Sequence, residues 1–251
     1  MKKLIAMTLA LMLALAGVAA MADELTMATN CAFPPYEFYD DVTGEPTGID
    51  VEIVTRVFER MGHTVKVEDM DFGSVITSVH AGKYTIGAGA ITITEERKNS
   101  VLFTDPYEIT VQQILVPEGS AITAAGDIEV EGAGYSIGVQ QDTTGDLYVS
   151  ELEQKGCVKV ERFKTGTDAV IAMTSGKVDA VVIDNGPALA YVTKYPGLTM
   201  IASACDSEEY GFCFAKENAE LCEAFNAELN AMIEDGTVNE IIAKYNAMME
   251  E

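Results

Sequence analysis

Apolar residues fall into two rhythms along this chain, and the changes from one to the other predict its elements. Leu25 to Ala28 is an apolar run of strand length, whereas Ile49, Val51, Ile53, Val54, Val57, Phe58 and Met61 recur at the spacing of one helix face. Gly62 ends that helix, and Thr64 to Val67 then alternates as a half-buried strand does. Strand, helix and strand joined by short connections argue for an α/β fold with mostly parallel strands. The next helix, Ser74 to Ala81, stops at Gly82-Lys83 and leads into the apolar stretch Thr85 to Ala88. The same phrase returns as a helix from Ala169 to Ser175, then Gly176-Lys177, then the apolar strand Ala180 to Ile183. A repeated phrase of this kind predicts two similar lobes.

The passage between the lobes is legible in the same way. After Phe103-Thr104-Asp105-Pro106-Tyr107, the β-branched run Ile109 to Val116 is closed by Pro117-Glu118-Gly119 and reads as one strand carrying the chain into a second lobe. Ser203 to Tyr210 reads as the return crossing. Tyr210 to Ala215 is then a strand, and helices at Ala219 to Ile233 and Thr237 to Met248 complete a discontinuous first lobe. The expected division is 23–109 with 205–251 for lobe 1 and 110–204 for lobe 2, with 1–22 set apart. In that opening segment Lys2 and Lys3 precede an apolar run from Leu4 to Leu15 and the small-residue site Ala20-Met21-Ala22, the pattern of a secretory signal cleaved near Ala22. The first cysteine is Cys31, so no residue is available for a lipid-modified N-terminus, and no later segment is apolar enough to span a bilayer.

Composition narrows the function classes. With 48% hydrophobic residues in 251, the chain can bury a real core. The formal net charge of -24 repels nucleic acid and anionic membrane surfaces, which removes both as default partners. Two histidines and five cysteines without Cys-x-x-Cys spacing leave no metal site of the usual kind, and no cofactor is expected. The cysteine count is odd, so at least one thiol stays unpaired within the chain. Cys205 and Cys213 flank a turn-like stretch and are the best candidates for a bridge, while Cys31, Cys157 and Cys222 suggest no pairing. A Cys-His nucleophile built on His63 or His80 is set aside for want of local support.

Five stretches, in this order and spacing, carry a more specific signal: FPPYEF (Phe33 to Phe38), GIDVEIV (Gly48 to Val54), MDFGSVI (Met70 to Ile76), ITITEERKNSVLFTDPY (Ile91 to Tyr107) and DGTVNEIIAKYN (Asp235 to Asn246). They resemble the bacterial extracellular solute-binding proteins of the polar amino acid family, components of ABC importers. The resemblance covers the chain beyond the signal. It implies a hinge-bending fold of the periplasmic-binding-protein type II, each lobe a mostly parallel sheet flanked by helices, with a ligand cleft between.

The resemblance also implies roles. Arg97, which by itself reads as a solvated arginine in a first helical turn, would grip the ligand α-carboxylate with both guanidinium prongs. Thr92, otherwise an ordinary strand-end residue, would add its hydroxyl and N–H, and the Ala90 carbonyl would accept from the α-ammonium. From the second lobe Asp184, whose plain reading is a helix N-cap, would pair with the ammonium. Thr144 would hold the carboxylate at a helix start, where exposed N–H groups reinforced by the macrodipole favour an anion. In that loop Asp142 stands where many relatives have glycine, which bears on its backbone geometry. Phe33 and Phe72 would sandwich the ligand, and Asn30 and Gln140 would meet the far end of its side chain. Two neutral amides there favour a neutral polar ligand such as glutamine, while Glu37 and Asp142 keep arginine or lysine open.

The implied function is binding of a free polar amino acid outside the cytoplasm, in a periplasm, by a monomer that delivers it to the membrane permease of an ABC importer. Two other classes use similar scaffolds. One is a cyclohexadienyl-dehydratase-like enzyme, with Glu37 or Asp184 as acid, and the other a ligand-sensing module for a membrane receptor.

Overall fold

The computed structural model describes residues 24–249, so the expected signal at 1–22 lies outside the described residues. The chain starts with β1 (Glu24–Thr29), then β2 (Ala32–Phe33), β3 (Glu37–Tyr39) and β4 (Pro46–Thr47), the last three forming a small antiparallel sheet. Next come α1 (Ile49–Arg60), β5 (Thr64–Asp69), α2 (Phe72–His80), β6 (Ile86–Gly87), the single-turn α3 (Glu95–Lys98), β7 (Val101–Phe103) and β8 (Glu108–Thr110). A second run holds β9 (Gln112–Pro117), β10 (Ser136–Gln140), α4 (Thr144–Gln154), β11 (Lys159–Phe163), α5 (Gly166–Thr174), β12 (Ala180–Asp184), α6 (Asn185–Lys194) and β13 (Leu198–Ala202). The chain finishes with β14 (Glu208–Tyr210), β15 (Cys213–Ala215), α7 (Ala219–Glu234) and α8 (Thr237–Met249).

Two five-stranded sheets organise these elements, in the orders β5-β1-β6-β15-β7 and β11-β10-β12-β9-β13. The first three strands of each are parallel, and the fourth, β15 or β9, runs antiparallel to its neighbours. The repeated Gly-Lys phrase marks the same place in each: α2 leads into β6 and α5 into β12, both the third strand of their sheets. Gly82 and Gly176 end the helices with φ of 68° and 72°, a left-handed conformation that favours glycine, and each donates its N–H back into the last helical turn. In each sheet the chain turns to opposite sides of the first strand, so a crevice opens at the carboxyl ends of β1 and β6, and another at those of β10 and β12.

The core follows from the periodicity. Ile49, Ile53, Val54, Val57 and Phe58 form the buried stripe of α1, and the Phe58 ring centroid lies 5.0 Å from that of Phe225 in α7. Burying each such side chain contributes about 1.5–3 kcal/mol. At the C-terminus α8 packs on α1 and also on α6, and its Tyr245 hydroxyl is 2.9 Å from Thr47 Oγ1.

The crossings differ from the expected continuous strands. The run Ile109 to Val116 is broken at Val111 into β8 and β9, because the first part pairs with β14 while the second joins the other sheet. The expected strand Tyr210 to Ala215 is likewise divided, since Gly211 and Phe212 turn aside to donate their N–H groups to Ile91 and Thr104. The two crossings therefore form an antiparallel ribbon, β8 with β14. All five cysteines are free, which corrects the expected Cys205–Cys213 bridge. Cys213 faces the interior of its sheet against Gly87, and burial pushes its thiol up to about 12, whereas Cys205 lies half-buried near Ser203.

Candidate ligand-binding cleft

The two crevices face one another, and the residues singled out from sequence converge there. Phe33, Phe72, Ala90, Thr92 and Arg97 line one wall, Gln140, Thr144 and Asp184 the other. Asn30 stands behind, at the end of β1, and its Oδ1 accepts from Gln140 Nε2 at 3.0 Å across the cleft. The space enclosed is about 10 Å³, room for about one water molecule. An amino acid therefore enters only if the lobes part.

Local structure explains how each group is aimed. Asp50 is a polar exception on the buried face of α1: its Oδ2 accepts from the Gly89 and Ala90 N–H groups at 2.8 and 2.9 Å, and Oδ1 accepts from the Tyr107 hydroxyl. These bonds hold Gly89 and Ala90 at φ of 144° and 48°, turning the strand end toward the cleft. Arg97 lies in α3, whose start is capped by Thr94 Oγ1 accepting from the Arg97 N–H at 3.1 Å. Its guanidinium donates to the Thr92 carbonyl at 2.9 Å and to the Asp142 carbonyl of the opposite lobe at 3.2 Å, with its carbon 5.6 Å from the centre of the Phe72 ring. Asp142 takes φ of 65°, so the loop keeps a glycine-like turn despite the carboxylate, a conformation Asp tolerates better than most residues. Asp184 occupies the N-cap position of α6 but caps nothing with its side chain, which faces the cleft and accepts from Gln112 Nε2 at 2.9 Å.

The charges in the cleft are unusually arranged. Arg97 is half-buried, and among the described residues it makes no salt bridge, only bonds to carbonyls. Burial pulls its pKa down from the usual arginine value, yet guanidinium stays charged at any ordinary pH. Asp184 is pushed up to about 7, first by burial and then by repulsion from Glu208. Glu37 is raised well above the usual carboxylate range by burial, and among the described residues its Oε2 has no hydrogen-bond partner. Gln140 Oε1 is a second buried acceptor without a donor. Unpaired charge under burial is expensive. A cation on one wall and carboxylates elsewhere, none neutralising another, are the electrostatic imprint of a ligand that carries both signs.

The family model for bacterial extracellular solute-binding proteins, family 3, matches residues 25–248. The chain belongs to that family. A probable histidine-binding protein of Neisseria gonorrhoeae is 28% identical over 224 residues, covering 88% of this chain and 82% of the relative. A solved ancestral arginine-binding protein bound to arginine shares 35% identity and a TM-score of 0.83, over 90% of this chain and 99% of that one. An ancestral arginine-binding protein solved bound to glutamine gives 35% identity and a TM-score of 0.82, over 90% of this chain and 98% of that one. These neighbours share the two-lobed type II binding fold, and they are binding proteins rather than enzymes. Among the described residues no cluster of three or more His, Cys, Asp or Glu is arranged to hold a metal, and no helix is long and apolar enough to cross a membrane.

Three residues of this family member's cleft escaped the sequence reading: Asp50, Gln112 and Glu208. Glu208 Oε2 accepts from Thr92 Oγ1 at 2.7 Å and from Thr144 Oγ1 at 2.8 Å, and Gln112 Nε2 reaches Thr144, Asp184 and Glu208. For Asp50 a signal existed, a carboxylate flanked by apolar residues on a helix face that ought to be dry. Gln112 opens β9 just beyond one crossing and Glu208 sits in the other, β14, where nothing local distinguishes a cleft residue from a solvated one.

Proposed function

We propose that this protein binds a free amino acid with a cationic side chain, arginine above all, between its lobes outside the cytoplasm, and delivers it as a monomer to the membrane permease of an ABC importer. The observation that carries this reading is the pair of buried acceptors without donors, Glu37 Oε2 and Gln140 Oε1, in the same cleft as Arg97 and Asp184. Arg97 with the Thr92 and Thr144 hydroxyls suits an α-carboxylate, and Asp184 with the Ala90 carbonyl suits an α-ammonium. What then remains on the lining is the Glu37 carboxyl and Gln140 Oε1, and a guanidinium, which offers donors only, suits both once its charge draws the proton off Glu37. A glutamine side chain would bring an acceptor of its own to that end.

Arginine-binding and histidine-binding relatives support the cationic choice. The Asn30 and Gln140 amides favour glutamine as the second reading, but each already satisfies part of the other. Binding on this account is lobe closure about the β8–β14 ribbon, dividing the chain as 23–109 with 205–251 against 110–204. The ligand shifts that equilibrium because only the closed form bonds it from both walls.

A thermal-shift screen of refolded protein against the twenty amino acids tests the reading, since a ligand bound only by the folded state raises the melting temperature. Stabilisation by arginine, lysine or histidine is expected. Stabilisation by glutamine alone would return the neutral reading. No shift with any of them would remove amino acid binding and put the dehydratase test, incubation with prephenate or arogenate, in its place.

A further inference from the structure

We propose that Glu208 is a displaceable latch on the cleft, an internal carboxylate that holds the lobes together through the hydroxyls a ligand carboxylate would use, and that the incoming ligand must expel. Glu208 belongs to β14, a crossing strand. Its Oε2 accepts at once from Thr92 Oγ1 at 2.7 Å on one wall and Thr144 Oγ1 at 2.8 Å on the other. Its Oε1 lies 3.4 Å from Gln112 Nε2, the amide that also serves Asp184 at 2.9 Å. One oxygen thus spans the lobes with short, charge-assisted bonds.

Those hydroxyls are the groups that the proposed function gives to the α-carboxylate, and the inference rests on that reading for what displaces the latch. Two carboxylates cannot both occupy the donors between Thr92 and Thr144, because like charges at such range repel. Glu208 has an exit that Asp184 lacks. Asp184 is enclosed at the end of β12, whereas Glu208 is half-buried and borders an open groove of about 360 Å³ shared with Ile93, Ile109 and Ser207. Rotation about its own side-chain bonds would carry the carboxylate into water without moving β14. The enclosed volume of about 10 Å³ fits the same picture, since the latched cleft leaves no room for an amino acid.

The test compares wild type, Glu208→Gln and Glu208→Ala after ligand is stripped by unfolding and refolding. Small-angle scattering without added ligand reads closure directly. Glu208→Ala is expected to show the larger radius of gyration, with Glu208→Gln between, because an amide oxygen still accepts from both hydroxyls but without charge. Titration with arginine should then show faster association and a Kd lowered on the order of tenfold in Glu208→Ala, the factor typical of one hydrogen bond to a charged group. Weaker binding in Glu208→Ala would make Glu208 a ligand contact and overturn the latch, as would an unchanged radius together with unchanged affinity. If wild type binds none of the twenty amino acids, the proposed function fails, while the difference in radius still decides whether Glu208 holds the lobes.

Discussion

Replacing Glu37 by glutamine isolates the group on which the cationic ligand depends. The substitution preserves shape and one acceptor while removing charge from a side chain that is 1% exposed, so solvent screens little of the effect. Stripping one partner from a buried charged contact costs about 2 to 5 kcal/mol. The lower part of that range applies, because burial raises the Glu37 pKa and some binding energy is consumed in ionising the carboxyl. A loss of about 2–3 kcal/mol is roughly 30- to 150-fold in Kd for arginine. Glutamine, with no charge to pair, should change by less than about threefold. The assay is calorimetry with both ligands, run at pH 6 and pH 8 in buffers of different ionisation enthalpy. Wild type should release a proton on binding arginine, seen as a buffer-dependent heat that is larger at the lower pH, and the variant should release less. Equal losses for arginine and glutamine, or an unchanged arginine affinity, would refute the assignment of Glu37 to the ligand's side-chain cation.

Four further outcomes follow from the same geometry. Asp50, Glu108 and Asp184 are raised by burial from 3.8, 4.5 and 3.8 to about 6, 7 and 7, so the folded protein keeps protons that the unfolded chain has released between those values. Their contribution to stability is full below about pH 4 and lost as pH rises through 6 to 7, so the melting temperature of stripped protein should fall from pH 5 to pH 8 in calorimetric scans, and a rise would contradict it. Arg97→Ala and Asp184→Ala should each weaken ligand binding by about 2 to 5 kcal/mol, measured by titration, and unchanged affinity in both would dismantle the site. Gly48 has φ of 129°, and a Cβ there would clash with the Tyr36 carbonyl oxygen, so Gly48→Ala should lose about 3 kcal/mol or more in urea unfolding. Thiol titration of denatured, unreduced protein should find five reactive cysteines, and three would restore a bridge.

Sequence alone determined much of this protein because its signals are local. The helical stripe of α1, the Gly-Lys helix ends and the apolar strands that follow them depend on residues within a turn or two of one another. So do the two lobes, since a repeated phrase is visible without any contact. Motif order and spacing carried a family resemblance, and the resemblance implied that Arg97, Thr92, Thr144 and Asp184 share one cleft, where the structure brings them together. What tertiary structure alone decided involves partners far apart in the chain. Thr92, Thr144 and Glu208 meet around one oxygen though they come from three separate segments, and no periodicity encodes such a meeting. The same holds for Asp50 beneath the Gly89-Ala90 turn and for Cys213, kept from its expected bridge by the sheet that buries it. Ligand charge was open in sequence because Asn30, Gln140 and Glu37 each fit more than one partner. Packing pairs the two amides with each other and leaves Glu37 Oε2 buried without a donor, and the proposed cationic ligand rests on that tertiary detail, since the sign a cleft favours depends on which of its groups are already satisfied.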